Sequence, residues 1–246
     1  MIYSFLSCKG GVGKTTLAVN TALSISQLGK NVLLIDGNFS SPNLRYHLAL
    51  PSSPNIQNIN ESQSLEELMH DYSGMKIIPS SPYIDDLNKK VDLKKVINQV
   101  KDNFDIILID GPPGMGDDVL NCVDVSTGIF LVANPELPTI VDTFRFLLNK
   151  TLGSKVLGVI LNKNNVKRSN MNDEITNKFS VKVLASISLD NLIPKSLILQ
   201  KPIVGLYPFS RSAIEIKRFS ANLVNADYLS PNWFKKAFEG LKYKFS

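Results

Sequence analysis

Ser7-Cys8-Lys9-Gly10-Gly11-Val12-Gly13-Lys14-Thr15-Thr16 is the stretch from which the fold is read. It follows an apolar run, Ile2–Leu6, and opens into helical spacing at Ala18, Ala22, Ile25 and Leu28. A strand that turns through glycines into a helix, with Lys-Thr at the turn, is the setting of a phosphate-binding loop. Gly10, Gly11 and Gly13 let successive backbone N–H groups turn inward around a phosphate, together with those of Val12 and Thr16. The helix N-terminus adds positive potential, Lys14 neutralises outer phosphates, and the Thr15 hydroxyl can ligate Mg²⁺. The plain alternative is a glycine-rich turn that binds nothing, and it leaves the Lys-Thr pair unexplained.

Outward from this loop, further apolar runs of four to eight residues occur at Val32–Ile35, Ile106–Ile109, Ile129–Val132 and Val156–Leu161. Between them lie helical spacings at Leu93, Val96, Ile97 and Val100, and at Phe144, Leu147 and Leu148. Strand and helix alternate, which predicts an α/β fold: a doubly wound, mostly parallel sheet with helices on both faces. Ligands then bind at the carboxyl edge of the strands.

The 246 residues are 43% hydrophobic and 20% charged, enough for one globular domain with a sizeable core. The 13 prolines and 14 glycines are dispersed, with no repeat or linker between units. Two cysteines, Cys8 and Cys122, fall short of a structural zinc or cluster site within one chain, and the expectation is a reduced, cytoplasmic protein. The start has no basic segment followed by a long apolar one, so no secretory signal is expected, and no apolar run approaches the roughly 18 residues of a spanning helix. A net charge of +5 is compatible with nucleic acid or anionic lipid without indicating either.

The usual phosphate-loop pattern would place its first glycine on Cys8, and the next residue is Lys9. Lys9-Gly10-Gly11-Val12-Gly13-Lys14-Thr15 resembles instead the deviant loop of the MinD/ParA family of ATPases, in its archaeal-type MinD branch. Ala133-Asn134-Pro135-Glu136-Leu137-Pro138 and Lys201-Pro202-Ile203-Val204 resemble the same proteins. The resemblance implies an ATP-dependent homodimer in which Lys9 reaches the partner's nucleotide. A second cation at the developing γ-phosphate charge is what phosphoryl transfer favours. The bland reading of Lys9 is a solvated loop lysine.

Two apolar runs end in acids, at Asp36 and Asp110. A carboxylate at a strand's carboxyl end shares the crevice with the phosphate loop and can hold Mg²⁺ directly or through its waters. An unrelated strand-end Asp would instead cap a following helix. Asp36-Gly37-Asn38-Phe39-Ser40-Ser41-Pro42-Asn43-Leu44 resembles the family's first switch. Asp110-Gly111-Pro112-Pro113-Gly114 resembles the second, where Gly114 lets the backbone approach the γ-phosphate. Asn38 departs from the pattern, since the family carries there a second Asp that orients or activates the attacking water. An amide cannot accept that proton, so slow hydrolysis is expected.

Val156–Leu161 leads into Asn162-Lys163-Asn164-Asn165, which resembles the family's adenine-side asparagine and, superficially, the guanine-reading N-K-x-D. Asn165 offers one acceptor and a competing donor where a carboxylate would accept from two guanine N–H groups, which favours ATP. Asn162 would then contact adenine, and by resemblance Pro208-Phe209-Ser210 would close the pocket. Asn162 alone could equally cap a loop. Relatives that carry iron–sulfur clusters need paired cysteines, and Cys122 reads as an ordinary buried helix residue.

The division expected is a P-loop ATPase domain over 1–230 and a tail helix over 231–246. In the tail, Trp233, Phe234, Ala237, Phe238, Leu241 and Phe245 fall within an arc of roughly 140° at helical spacing, with Lys235, Lys236 and Lys242 outside it. Such a face suits the surface of an anionic membrane, and the family targets membranes with helices of this kind. The competing reading is a last helix docked on the protein's own core. The expected function is therefore a MinD-type switch, an ATP hydrolase on the membrane periphery that positions cell-division or other structures with a regulatory protein. A ParA-like dimer holding DNA nonspecifically is the alternative, disfavoured by the aromatic tail, and a weakly hydrolysing scaffold is the third.

Overall fold

The computed structural model describes residues 1–59, 64–86, 89, 91–165, 176 and 180–229. In chain order they form β1 (Ile2–Ser7), α1 (Lys14–Ser26), β2 (Val32–Asp36), α2 (Leu44–Leu48), β3 (His70–Tyr72), β4 (Met75–Ile78), α3 (Leu93–Val100), β5 (Ile106–Pro113) and α4 (Asp117–Val125). There follow β6 (Gly128–Ala133), α5 (Leu137–Leu148), α6 (Lys150–Gly153), β7 (Val156–Asn164), β8 (Val183–Ser188), α7 (Leu192–Ile198), α8 (Ile203–Leu206) and α9 (Arg211–Leu223). The strands make one sheet in the order β3-β4-β2-β5-β1-β6-β7-β8. All neighbours are parallel except β3 and β4. The doubly wound α/β sheet read from the sequence is the one observed.

Both faces of the sheet are covered, so each run is apolar throughout and its residues divide by parity. Phe5, Leu34, Leu108, Phe130 and Ile160 face α1 and α9, where Leu17, Ala22, Ile25, Ile216 and Phe219 complete one core. Leu6, Leu33, Ile35, Ile107 and Ile109 face the other core, with Val96, Val100, Cys122 and Phe146. Phe130 meets Tyr3, Phe5 and Phe219 at ring-centroid distances of 5.2 to 5.3 Å, an aromatic junction of β1, β6 and α9.

Of three helical readings, two change in detail and one holds. α1 ends at Ser26 before Gly29 at φ +81°, so Leu28 lies beyond it and is 37% exposed rather than on its buried face. α3 buries Leu93, Val96, Ile97 and Val100 as the spacing predicts, behind an N-cap in which Asp92 accepts from the Lys94 and Lys95 amides. α5 buries Thr139, Thr143 and Phe146, while Leu148 is exposed.

Two strand regions were not read from the sequence. β3 and β4 form a hairpin through Ser73 (φ +47°) and Gly74 (φ +87°), the positive pair that a type I′ turn requires. β8, Val-Leu-Ala-Ser-Ile-Ser, lacks a long apolar run because it is the last strand of the sheet, paired on one side with β7. Trp233, Phe234, Phe238, Leu241 and Phe245, on which the membrane expectation rests, lie outside the described residues.

Candidate functional site

β1 lies at the centre, and the chain leaves it toward β2 on one side while β6 adjoins it on the other. Such a reversal opens a crevice beyond the carboxyl ends of the strands. The phosphate loop fills it. Gly11 (φ +75°) and Gly13 (φ +96°) adopt left-handed backbone, and a Cβ on Gly13 would come within 2.2 Å of the Asn162 Nδ2. Only glycine fits there.

Lys14 lies buried in the loop, with its Nζ 3.0 Å from the Ser7 Oγ, which in turn donates to the Lys9 carbonyl at 2.6 Å. Burial lowers the Lys14 pKa, and the neighbouring Asp110 charge opposes that shift. Asp110 and Asp36 sit side by side at the ends of β5 and β2, both buried, as register partners in the sheet. Asp36 accepts from the amides of Asn38 (3.1 Å) and Leu44 (3.4 Å). The Asp110 Oδ1 is buried with no hydrogen-bond partner. Burial first, and then the Asp110 charge, raises the Asp36 carboxyl well above its usual range. Burial raises Asp110 too, against the opposing hydrogen bond from Thr15 and the charge of Lys14.

Two buried acids and an orphaned carboxylate oxygen beside a threonine hydroxyl want a cation. Mg²⁺ fits, because it takes one or two carboxylates, a hydroxyl and phosphate oxygens instead of an all-protein cage. Among the described residues there is no cluster of three or more His, Cys, Asp or Glu that would hold a metal without such help. Thr15, Asp36 and Asp110 are thus gathered at one place.

A cavity of about 590 Å³ opens over the loop. Gly10, Gly11, Gly13, Lys14, Thr15, Thr16, Asn38 and Asn162 line it among the residues singled out from the sequence. Val12, with its side chain in the core, and Gly114 are not in the lining; the Gly114 amide instead donates to the Ser7 carbonyl at 2.8 Å. Nor is Pro208 in the lining. One wall is Ser188, Leu189, Asp190, Asn191 and Pro194, while Ser210 caps α9 by accepting from the Ala213 amide. The wall is pinned from behind: Glu215 accepts from the amide and hydroxyl of Ser188 at 2.6 and 2.8 Å, and Asp190 accepts from the Ser212 hydroxyl at 2.7 Å. Asp190-Asn191-Leu192 was a legible helix start, but its place in the pocket depends on the pairing of β7 with β8.

Asn162 donates to the Val12 carbonyl at 2.7 Å, and its Oδ1 is buried without a partner. An acceptor left open at the cavity suits the exocyclic amine of adenine. Asn38 is buried at the lining, its Nδ2 donating to the Ser41 carbonyl at 2.7 Å. Lys9 does not line the cavity; its Nζ pairs with Asp142 of α5 at 3.1 Å. Cys122 is fully buried under Gly37 and Gly111, and Cys8 donates to the Asp142 carbonyl at 3.1 Å.

Comparison with known proteins agrees with this geometry. The ParA model, described as the NUBPL iron-transfer P-loop NTPase, matches residues 1–224. The septum site-determining protein MinD of Thermotoga maritima is 30% identical over 196 residues, 74% of this chain and 72% of that protein. The crystal structure of the cell division ATPase MinD of Pyrococcus furiosus superposes with a TM-score of 0.83 at 27% identity, covering 91% of this chain and 98% of that one. MinD of Pyrococcus horikoshii, complexed with Mg-ADP, gives 0.82 at 27% identity over 90% and 95%. With the loop, the two acidic strand ends and these matches in hand, the chain belongs to the ParA family of P-loop NTPases, with MinD proteins among its relatives.

Proposed function

We propose that this chain is an ATP- and Mg²⁺-dependent dimerising ATPase switch of the MinD type. Lys14 and the loop amides hold the outer phosphates, Thr15, Asp36 and Asp110 hold Mg²⁺, and Asn162 reads the base. The observation that carries the reading is the division between the two loop lysines. Lys14 is buried in its own cavity, whereas Lys9 is outside the lining, and its side chain is 44% exposed. A cation placed there serves a second nucleotide, and a second copy of this chain supplies one.

Hydrolysis is slow in this reading, because Asn38 can position a water but cannot take its proton. The domain ends near residue 230, and residues 231–246 hold an anionic membrane surface through Trp233, Phe234, Phe238, Leu241 and Phe245. One short helix binds weakly, so dimerisation, which presents two, couples nucleotide state to membrane residence. A regulatory protein would then set the timing of release, in the spatial organisation of division or of another structure. Among the described residues no helix is long and apolar enough to cross a membrane.

The test is co-sedimentation with anionic and neutral liposomes of the full chain and of a chain ending at Ser230, each with ATP, ADP or no nucleotide. Pelleting that needs ATP, anionic lipid and the tail is the expected result. If neither chain pellets under any condition, the membrane arm fails, and salt-sensitive DNA binding would move the assignment to a partitioning ATPase.

A further inference from the structure

The β7 segment carries an irregularity that the nucleotide reading does not use. Leu161 pairs with Ser186 and Asn164 with Ser188, so β7 advances three residues where β8 advances two. An extra residue on one strand is a bulge, and bulges re-aim side chains. Within it, Lys163 takes φ +56°, a left-handed conformation uncommon for a residue with a long side chain. The re-aimed Nζ lies 2.7 Å from the Gly11 carbonyl. One residue earlier, the Asn162 Nδ2 lies 2.7 Å from the Val12 carbonyl. Two successive residues of β7 thus hold two successive carbonyls of the phosphate loop.

A trans peptide points its C=O and the following N–H in opposite directions. With the Gly11 and Val12 carbonyls drawn toward β7, the amides of Val12 and Gly13 must turn away from it. Among the described residues the Gly13 amide has no hydrogen-bond partner in the chain, as a donor reserved for a phosphate would. Gly11 and Gly13, at φ +75° and +96°, supply the backbone freedom for this arrangement but do not select it. The two β7 side chains do.

We propose that Lys163 is a positioning residue of the phosphate loop: a strand bulge delivers its ammonium to the Gly11 carbonyl and presets the loop amides for a diphosphate. Lys163 lines the cavity beside Asn162, but its Nζ is spent on the loop backbone, and the role assigned to it is toward the phosphates. Asn162 has a second role toward the base, so Lys163 is the cleaner probe. The inference rests on the nucleotide-binding reading only for its ligand, and two part-ligands separate them.

The experiment measures the affinity of the full chain for pyrophosphate, for adenosine and for ADP by calorimetry, in the native form and in Lys163→Met and Lys163→Arg. Loss of one charged hydrogen bond at an exposed side chain corresponds to roughly fivefold to tenfold. The expected result is that loss for pyrophosphate and ADP in K163M, adenosine unchanged within about twofold, and recovery of most of it in K163R. If K163M does not fold, K163Q against K163R makes the same comparison. Equal losses for adenosine and pyrophosphate, or no loss for either, overturn the proposal. A native chain that binds pyrophosphate but not ADP sinks the nucleotide reading while leaving this one standing.

Discussion

The Lys9 ammonium sits 3.1 Å from the Asp142 carboxylate, tying the phosphate loop to α5 within one protomer. Asp142 also receives Arg145 at 3.1 Å. The lysine that makes this loop deviant is therefore already engaged before any second copy arrives. Both side chains have access to solvent, at 44% and 23%, so the pair contributes only about 0.2–1 kcal/mol.

Asp142→Asn releases Lys9 from that competition. The concentration of protein at which ATP drives association should fall by about two- to fivefold, as read by sedimentation velocity, with ADP affinity unchanged. Association that weakens instead would mean that Asp142 holds Lys9 in its working position.

Asp110→Asn removes a buried charge that lacks a partner on one oxygen. Burial raises the folded-state pKa of Asp110 from 3.8 to about 6, so the folded chain retains a proton that the unfolded chain releases across that window. Stability without nucleotide or Mg²⁺ must then decline as pH rises from about 4 to about 6. Thermal melts of D110N should lose part of that slope and gain about 1–3 kcal/mol at pH 7 to 8. Mg²⁺ competes for the same oxygen, so in the native chain its effect on nucleotide affinity should strengthen as pH rises through that window, and in the variant it should be weak at every pH.

Asn38→Asp supplies a proton acceptor but places a carboxylate against the Ser41 carbonyl, to which the amide now donates at 2.7 Å. Single-turnover hydrolysis should rise about tenfold, with nucleotide affinity reduced by the loosened segment after β2. If neither form hydrolyses ATP, with or without lipid, the scaffold reading replaces the switch.

Gly13→Ala tests the loop's fit. At φ +96° an added Cβ is strained by about 1–2 kcal/mol and strikes the Asn162 Nδ2, displacing the contact that holds the Val12 carbonyl. ADP binding should fall at least tenfold while the melting temperature falls by a few degrees. Unchanged binding would show that the loop re-forms around the ligand without that contact.

Local signals made much of the site legible. Gly-rich spacing with Lys14-Thr15, acids at the ends of apolar runs and Asn162 after the last long run are marks that backbone conformation and solvent exclusion impose directly on the sequence, and each falls where the crevice forms. The long buried strands were equally legible, because a strand covered on both faces must be apolar throughout. β8 was not, since Ala185 and the serines around it give no such run.

What only the tertiary structure decided is pairing across the chain. No spacing tells that Lys9 meets Asp142, that Glu215 pins Ser188, or that the pocket wall comes from the segment after β8. These contacts join residues between 27 and 133 positions apart, brought together by the strand order of the sheet. The bulge at Lys163 belongs with them: it is a mismatch in register between two strands, and register is a property of a pair that neither strand's own residues display.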